Sequence, residues 1–158
     1  MAWVRCCGGT AKSSKIMFYK EGTMFVGFDT YTNYAYGSYT KVAYSINSNN
    51  IGLITTSGNN STCFGTTAKI DLSNIRTLFA RVKGAGNPNG AKFILGAPTS
   101  KDFYGASNTY NFYPVSTSDE VTISLDVSAI NEERYIGLCS ACSSISTSGF
   151  YLYELWGE

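Results

Sequence analysis

The sequence contains no histidine, and only 15% of its residues are charged. Histidine is the commonest general base and zinc ligand, so its absence excludes Ser-His-Asp and Cys-His catalysis. The net charge is +1, and the basic side chains are scattered, whereas phosphate binding requires a concentrated basic face. We therefore predict no nucleic-acid partner, and polybasic attachment to a membrane is excluded for the same reason.

Long apolar runs are also absent. No segment approaches the roughly 20 apolar residues of a transmembrane helix, and the first residues lack the apolar core of a signal peptide. We therefore predict no membrane partner, and accumulation in a cytosol or release from it by lysis. The five cysteines are an odd number, which argues against a complete disulfide framework and favours mostly free thiols.

Polarity comes instead from Ser, Thr, Asn, Gly and 12 tyrosines in a chain of 158 residues. Val121, Ile123 and Leu125 alternate with polar residues, which is the period of an antiparallel strand with one solvated face. Turn-forming residues separate about ten short strand candidates, and no long amphipathic helix is visible. These candidates are residues 16–19, 23–28, 39–46, 51–56, 62–72, 75–83, 92–97, 120–127, 135–139 and 149–156.

This pattern predicts an all-β fold, a single antiparallel β-sandwich of jelly-roll-like type. Residues 1–15 contain a glycine pair and a Lys-Ser-Ser-Lys stretch, so we predict a flexible N-terminal arm there and the sandwich domain over residues 16–158. The aromatic segment 150–156 reads as a strand covered on both faces, and we expect it to be essential to the fold.

Two segments, Ile70–Ile75 and Leu125–Ile130, echo each other. Each closes an apolar run, turns at an Asp/Ser pair and leads into a second strand. We interpret both as crossovers between two sheets. Asp71 and Asp126 favour hydrogen bonds to the N–H groups of their own turns, with calcium binding as the alternative.

The cysteines leave a metal site open. Cys139 and Cys142 have CxxC spacing, and Cys6 with Cys7 would complete a four-thiolate zinc site. The simpler interpretation is that these thiols pack as small apolar groups, since positions 139 and 142 of a strand point to opposite faces. We predict no metal and no cofactor.

Two tyrosine-rich segments, 28–39 and 103–113, carry the functional signal. Tyrosine among Asn, Ser, Thr and Gly is typical of recognition loops, and exposed aromatic clusters mark interaction sites. The alternative is that some rings pack the ends of the sandwich or an oligomer contact. The predicted contact residues are Tyr31, Asn33, Tyr34, Tyr36, Tyr39, Tyr104, Asn108, Tyr110 and Tyr113.

Paired carboxylates would still support glycoside hydrolysis without histidine. None of the candidates has a recognisable active-site context, and we predict that the protein is not an enzyme. The candidates are Glu21, Asp29, Asp102, Asp119, Glu120, Glu132 and Glu133.

Segments 69–82, 121–130, 135–138 and 150–156 together resemble β-sandwich modules in structural proteins of tailed phages that infect Gram-positive bacteria. The resemblance covers roughly the C-terminal half. It implies a non-enzymatic virion protein, an appendage or capsid-decoration subunit, assembled in the bacterial host cytoplasm. Its partners would be other virion proteins, further copies of itself (a homotrimer) and a bacterial surface glycan.

Carbohydrate-binding modules of secreted bacterial enzymes share this sandwich design. A freestanding carbohydrate-binding module or lectin is therefore the alternative function, and a carboxylate-based glycan hydrolase is a third.

Overall fold

The computed structural model describes residues 14–32, 41–57, 62–86, 92–101, 109–114, 118–141 and 148–158. These residues form fourteen strands. The strands are β1 (Ile16–Lys20), β2 (Thr23–Met24), β3 (Phe28–Thr32), β4 (Lys41–Ile46), β5 (Gly52–Ser57), β6 (Thr62–Thr66), β7 (Ile70–Asp71), β8 (Thr77–Gly86), β9 (Lys92–Ala97), β10 (Thr109–Pro114), β11 (Val121–Asp126), β12 (Glu133–Arg134), β13 (Gly137–Ala141) and β14 (Ser148–Gly157). The described part contains no helix, and hence none long and apolar enough to cross a membrane.

The predicted all-β sandwich is confirmed. A seven-stranded sheet has the order β11-β8-β14-β1-β2, and β5 with its partner β4 adds to the same edge of β14 as β1. A five-stranded sheet has the order β10-β9-β13-β6-β3. All pairings are antiparallel.

β14 is the central strand of the larger sheet. Its first half pairs with β5, its second half pairs with β1, and β8 follows its whole length on the other side. A bulge at Tyr153 interrupts this ladder. Because the bulge adds one residue, Leu152 and Leu155 both face the core although they are three positions apart.

The core lies between the two sheets. Phe93 of the five-stranded sheet meets Phe150 of the seven-stranded sheet edge to face, with ring centroids 6.3 Å apart. At the other side of the core, the ring of Phe64 stacks between Phe28 at 4.8 Å and Tyr44 at 5.0 Å. Phe28, part of the first tyrosine-rich segment, is therefore a packing residue.

The two echoing segments are the crossovers that the sequence predicts. The chain passes from β6 through β7 to β8, and later from β11 through β12 to β13, each time changing sheet. β7 and β12 pair with each other, Asp71 opposite Glu133, so the two crossovers lie side by side. Leu72, Ile75 and Val127 anchor the turns in the core.

Candidate functional site

The predicted contact residues lie only partly within the described chain. Asn33, Tyr34, Tyr36, Tyr39, Tyr104 and Asn108 lie outside the described residues. Tyr31 is on β3, and Tyr110 and Tyr113 are on β10. The role of the whole set as contact residues therefore stays a prediction.

Both tyrosine-rich segments were predicted as loops, and this is wrong for part of each. β3 and β10 are strands, and they form the two opposite edges of the five-stranded sheet. β3 pairs with β6 and β10 pairs with β9 along their lengths. Thr and aromatic residues have high strand propensity, but the Asn, Gly and Ser around them indicated loops. The described part of each tyrosine-rich segment thus lies at one of the two opposite edges of this sheet.

The five-stranded sheet has a core face and an outward face. Phe64, Leu95 and Leu138 are adjacent in register and belong to the core. Neighbouring positions along each strand face the other way. There Ile94 and Cys139 are almost fully buried, at 1% and 0% exposure, but they are not members of the core cluster. The centre of the outward face is thus buried separately from the core.

A row of glycines crosses this outward face. Gly137 pairs with Gly65 on one side and with Gly96 on the other, so three glycines lie side by side on the three central strands. The backbone of Tyr110 continues the row at one edge, and Asp29 continues it at the other. All three glycines are buried, as are Ile94 and Cys139 beside them, so the row belongs to the buried centre of this face.

The exposed margin of the outward face lies around Tyr135. The backbone N–H of Tyr135 donates to the carbonyl of Pro98 at 3.0 Å. Tyr135 lies two positions before Gly137, and residues two positions apart in an extended chain face the same side of the sheet. Lys69 Nζ lies 5.9 Å from the centroid of the Tyr135 ring, and Lys101 Nζ lies 5.8 Å from it. The two lysines are exposed and the tyrosine is half-buried. Sequence analysis missed these three residues because they are separated along the chain.

The outward face of the seven-stranded sheet also carries aromatic rings, but their faces are occupied. Trp156 stacks on Phe79 with centroids 5.2 Å apart, and Lys15 Nζ lies 3.8 Å from the Trp156 ring centroid. The Trp156 Nε1–H donates to Glu158. Since both ring faces and the N–H have partners, this cluster stabilises the sheet. Lys15, assigned to the arm from sequence, contacts the sandwich.

Charged groups on that face form an ion-pair network. Arg81 contacts Glu120 at 2.6 Å and Glu154 at 3.4 Å, and Lys15 contacts Glu154 at 3.0 Å. Partial burial alone would raise the pKa of Glu154, but the hydrogen bond and charge of Lys15, together with Arg81, lower it below its ordinary value. A carboxyl held ionised in this way is suited to charge pairing and unsuited to donate a proton as a general acid.

Several of the carboxylates predicted as hydrolase candidates are engaged in ion pairs or local hydrogen bonds. Glu21 contacts Arg81 at 3.9 Å, and Glu132 contacts Arg134 at 2.5 Å. Asp29 accepts from the backbone N–H of Thr30 at the exposed edge of β3. Asp102 lies outside the described residues. Two of the candidates, Glu21 and Glu120, meet at the guanidinium of Arg81, which pairs with both of them.

The structure corrects the expectation of free thiols for two cysteines. Cys63 of β6 and Cys139 of β13 are directly opposite in register and form a disulfide. Cys139 is therefore not available as a thiolate for the four-cysteine zinc site. The other three candidates, Cys6, Cys7 and Cys142, lie outside the described residues. Within the described ranges, no group of three or more Cys, Asp or Glu side chains is arranged to hold a metal ion.

The turn aspartates adopt the predicted hydrogen-bonded arrangement. Asp71 Oδ1 accepts from the Ser73 hydroxyl at 2.6 Å and from its N–H at 2.9 Å. Asp126 Oδ1 accepts from the N–H of Ser128 at 2.9 Å. These hydrogen bonds, with the hydroxyl contribution the largest, lower the pKa of both carboxyls. The Asx-type interpretation is confirmed for both turns.

Comparison with known proteins adds information about the fold. No protein-family model matches the chain, and no curated protein matches it in sequence. A family 11 carbohydrate-binding module from Clostridium thermocellum, solved in complex with a β-1,3-1,4-mixed-linked tetrasaccharide, is similar over 90% of this chain and 94% of that chain, with a TM-score of 0.56 and 15% identity.

Two further solved structures agree. A family 29 carbohydrate-binding module from Piromyces equi is similar over 91% of this chain and 90% of that chain, with a TM-score of 0.56 and 11% identity. An agarase is similar over 91% of this chain but only 24% of its own length, with a TM-score of 0.59 and 8% identity. At these identities the likeness shows the fold alone, a β-sandwich module. None of the three is a phage protein, so the phage resemblance is supported only as to fold.

Proposed function

We propose that this protein is a non-catalytic carbohydrate-binding module that contacts a glycan at the outward face of its five-stranded sheet. The main support is that whole carbohydrate-binding modules, about the same size as this chain, have the same sandwich. Fold alone does not determine function, so the proposal also depends on the chemistry of the surface.

Two features at the margins of the outward face support glycan binding. The edge strands β3 and β10 carry the described part of each tyrosine-rich segment, and Tyr135 lies half-buried at the margin. Tyrosine rings are rigid and amphipathic, so they contact a partner at a small cost in conformational entropy. The opposite outward face is less suitable because Trp156 is covered by Phe79 and Lys15.

The test is binding of the purified protein to a panel of soluble polysaccharides by affinity electrophoresis and calorimetry. Mixed-linked β-1,3-1,4-glucan is the first neutral member. We expect Tyr34→Ala and Tyr110→Ala each to weaken binding about tenfold, equivalent to about 1.4 kcal/mol, with the fold intact. Tyr151→Ala is the matched control, because Tyr151 is a half-buried tyrosine on the other sheet.

Different outcomes test the location of the site, the glycan-binding function and the non-catalytic assignment. Unchanged affinity in both test variants would remove the tyrosine segments from the site, and no affinity for any glycan would overturn the function. Release of reducing sugar from any polysaccharide would contradict the non-catalytic assignment and revive the hydrolase hypothesis.

Assembly into a virion, with virion partners and a trimeric state, stays a prediction of the sequence resemblance. The structural neighbours described above favour the freestanding module instead. An antibody to this chain that labels purified phage particles would reverse that preference, and native mass spectrometry reports the oligomeric state directly.

A further inference from the structure

All four large apolar side chains that the described part of the chain exposes lie along one margin of the seven-stranded sheet. They are Ile16, Met24, Phe25 and Ile46, with exposed fractions of 42%, 38%, 56% and 50%. We call this the β2–β4 margin, because β2 and β4 add outside β1 and β5, which share one edge of β14. Single exposed apolar residues are ordinary, whereas a contiguous group marks an interaction site.

Three of these side chains are brought together at the turn between β1 and β2. Ile46, at the end of β4, packs against this turn, since a Cβ atom at Gly22 would lie 3.4 Å from both Cδ1 and Cγ2 of Ile46. Met24 and Phe25 follow Gly22 closely in the chain. The three residues therefore form one apolar patch at the junction of β2 and β4.

The backbone of β4 presents free hydrogen-bonding groups at this margin. Among the described strands, β4 pairs with β5 alone. Residues of an antiparallel pair alternate between those bonded to the neighbouring strand and those whose N–H and C=O point away from it. Asn47 donates its N–H to Ile51 at 3.0 Å, so Ile46 and Tyr44 direct theirs to the free edge. β4 also contains neither the proline nor the bulge that often prevents edge pairing.

The backbone of β2 is free in the same way. The N–H of Phe25 donates to the carbonyl of Phe18 at 2.9 Å. By the same alternation, the neighbouring Met24 directs its N–H and C=O away from β1. The unpaired groups of β2 and β4 therefore lie along one line beside the apolar patch.

Two opposite charges lie at the same junction. Lys20 and Glu21 are adjacent at the turn between β1 and β2, and both are exposed. Lys20 takes part in none of the ion pairs found among the described residues, and Glu21 contacts Arg81 only at 3.9 Å. Neighbouring charges of opposite sign are self-complementary across a twofold axis, because each meets the opposite charge of the other copy.

We propose that two copies of this chain form a dimer by antiparallel pairing of their β2–β4 margins, across a twofold axis near Gly22 and Ile46. β2 of one copy then lies beside β4 of the other, and their free N–H and C=O groups bond across the interface. The apolar patch is covered, and Lys20 of each copy faces Glu21 of the other. This inference does not depend on glycan binding.

The test is sedimentation velocity of the purified full chain, without glycan, from about 1 to about 300 µM. The patch is small beside the roughly 20 residues a side of a standard interface, so we expect a weak dimer with a dissociation constant of about 10 µM. Ile46→Lys should raise this constant at least about tenfold, because an edge lysine opposes pairing. The matched control is Thr122→Lys, which adds the same charge at an exposed position of β11 on the opposite margin. It should dimerise as wild type, and circular dichroism checks both folds.

Charge reversal tests the twofold arrangement. Lys20→Glu and Glu21→Lys should each weaken the dimer, since like charges then face each other across the axis. An equimolar mixture of the two variants should recover the wild-type association, because every facing pair is again opposite in sign. Hydrogen exchange tests the backbone pairing, since the amides of Met24 and Ile46 should exchange more slowly at high protein concentration.

A chain that stays monomeric at the highest concentration would overturn the proposal. A dimer that Ile46→Lys and Thr122→Lys weaken equally would also overturn it, as would a mixture of the charge variants that associates no better than either alone. A trimer would overturn it too, because pairing of two margins about a twofold axis closes at two copies. None of these outcomes bears on the glycan-binding test, so the two proposals fail separately.

Discussion

Cys63 and Cys139 are joined by a disulfide across β6 and β13, on the side of the five-stranded sheet that faces away from the core. The bond links residues 76 positions apart and clamps the two strands that carry Gly65 and Gly137. It therefore both closes a long loop and holds the register of the glycine row.

We predict that peptide mapping without reduction will find Cys63 linked to Cys139. Reduction should lower the free energy of unfolding by about 2–4 kcal/mol, because the unfolded chain regains the entropy of a long loop. Denaturant titrations with and without reductant measure this. Cys142→Ser, which leaves the pair intact, should show the same dependence on reductant. A link from Cys63 to any other cysteine would contradict the structure.

Gly52 approaches the core tyrosine pair closely. A Cβ atom at position 52 would collide with the hydroxyl of Tyr19 and lie 3.0 Å from Tyr44 Cε2. Gly52→Ala should therefore cost about 1–3 kcal/mol by overpacking, measured by urea denaturation. In the Tyr19→Phe background the cost should shrink, because the colliding oxygen is gone. An equal cost in both backgrounds would mean that the hydroxyl is not the obstacle.

Acid should destabilise the two crossover turns. The pKa of Asp71 and of Asp126 is lower in the folded state than the ordinary 3.8, so their contribution is fully present above that pH and is lost as the pH falls below it. Asp71→Asn/Asp126→Asn should be less stable than wild type at pH 7, and the difference should narrow at about pH 2.5. Thermal melts at both pH values measure it, with Asp119→Asn as the control. If the difference in stability between the double variant and wild type does not change with pH, the lowered pKa values of Asp71 and Asp126 are contradicted.

Deletion of residues 150–158 should abolish folding. The deleted segment includes most of β14, which pairs with β1, β5 and β8 and contributes Phe150, Leu152 and Leu155 to the core. The test is a thermal melt followed by circular dichroism and tyrosine fluorescence. A cooperative transition in the truncated protein would contradict the central role of the strand.

Several strands were predictable because the residues that specify them are neighbours in the sequence. The alternation in Val121–Asp126 identifies β11, and predicted strand 92–97 coincides with β9. The crossovers were predictable for the same reason, since an apolar run followed by an Asp/Ser turn specifies a strand end and a change of direction within a few residues. Strands β3 and β10 were missed because their residues are mixed with turn formers, and β3 pairs with β6, which is distant in the chain.

The sequence by itself determined the all-β class, the two crossover turns and the absence of histidine chemistry, because composition and period-two alternation are properties of neighbouring residues. Only the tertiary structure decided that Cys63 is bonded to Cys139, that three glycines align across β6, β13 and β9, and that Lys69 and Lys101 meet at Tyr135. Each of these depends on strand pairing and register. Register is set by which residues bury together in the core, and the residues that it brings together are far apart along the chain.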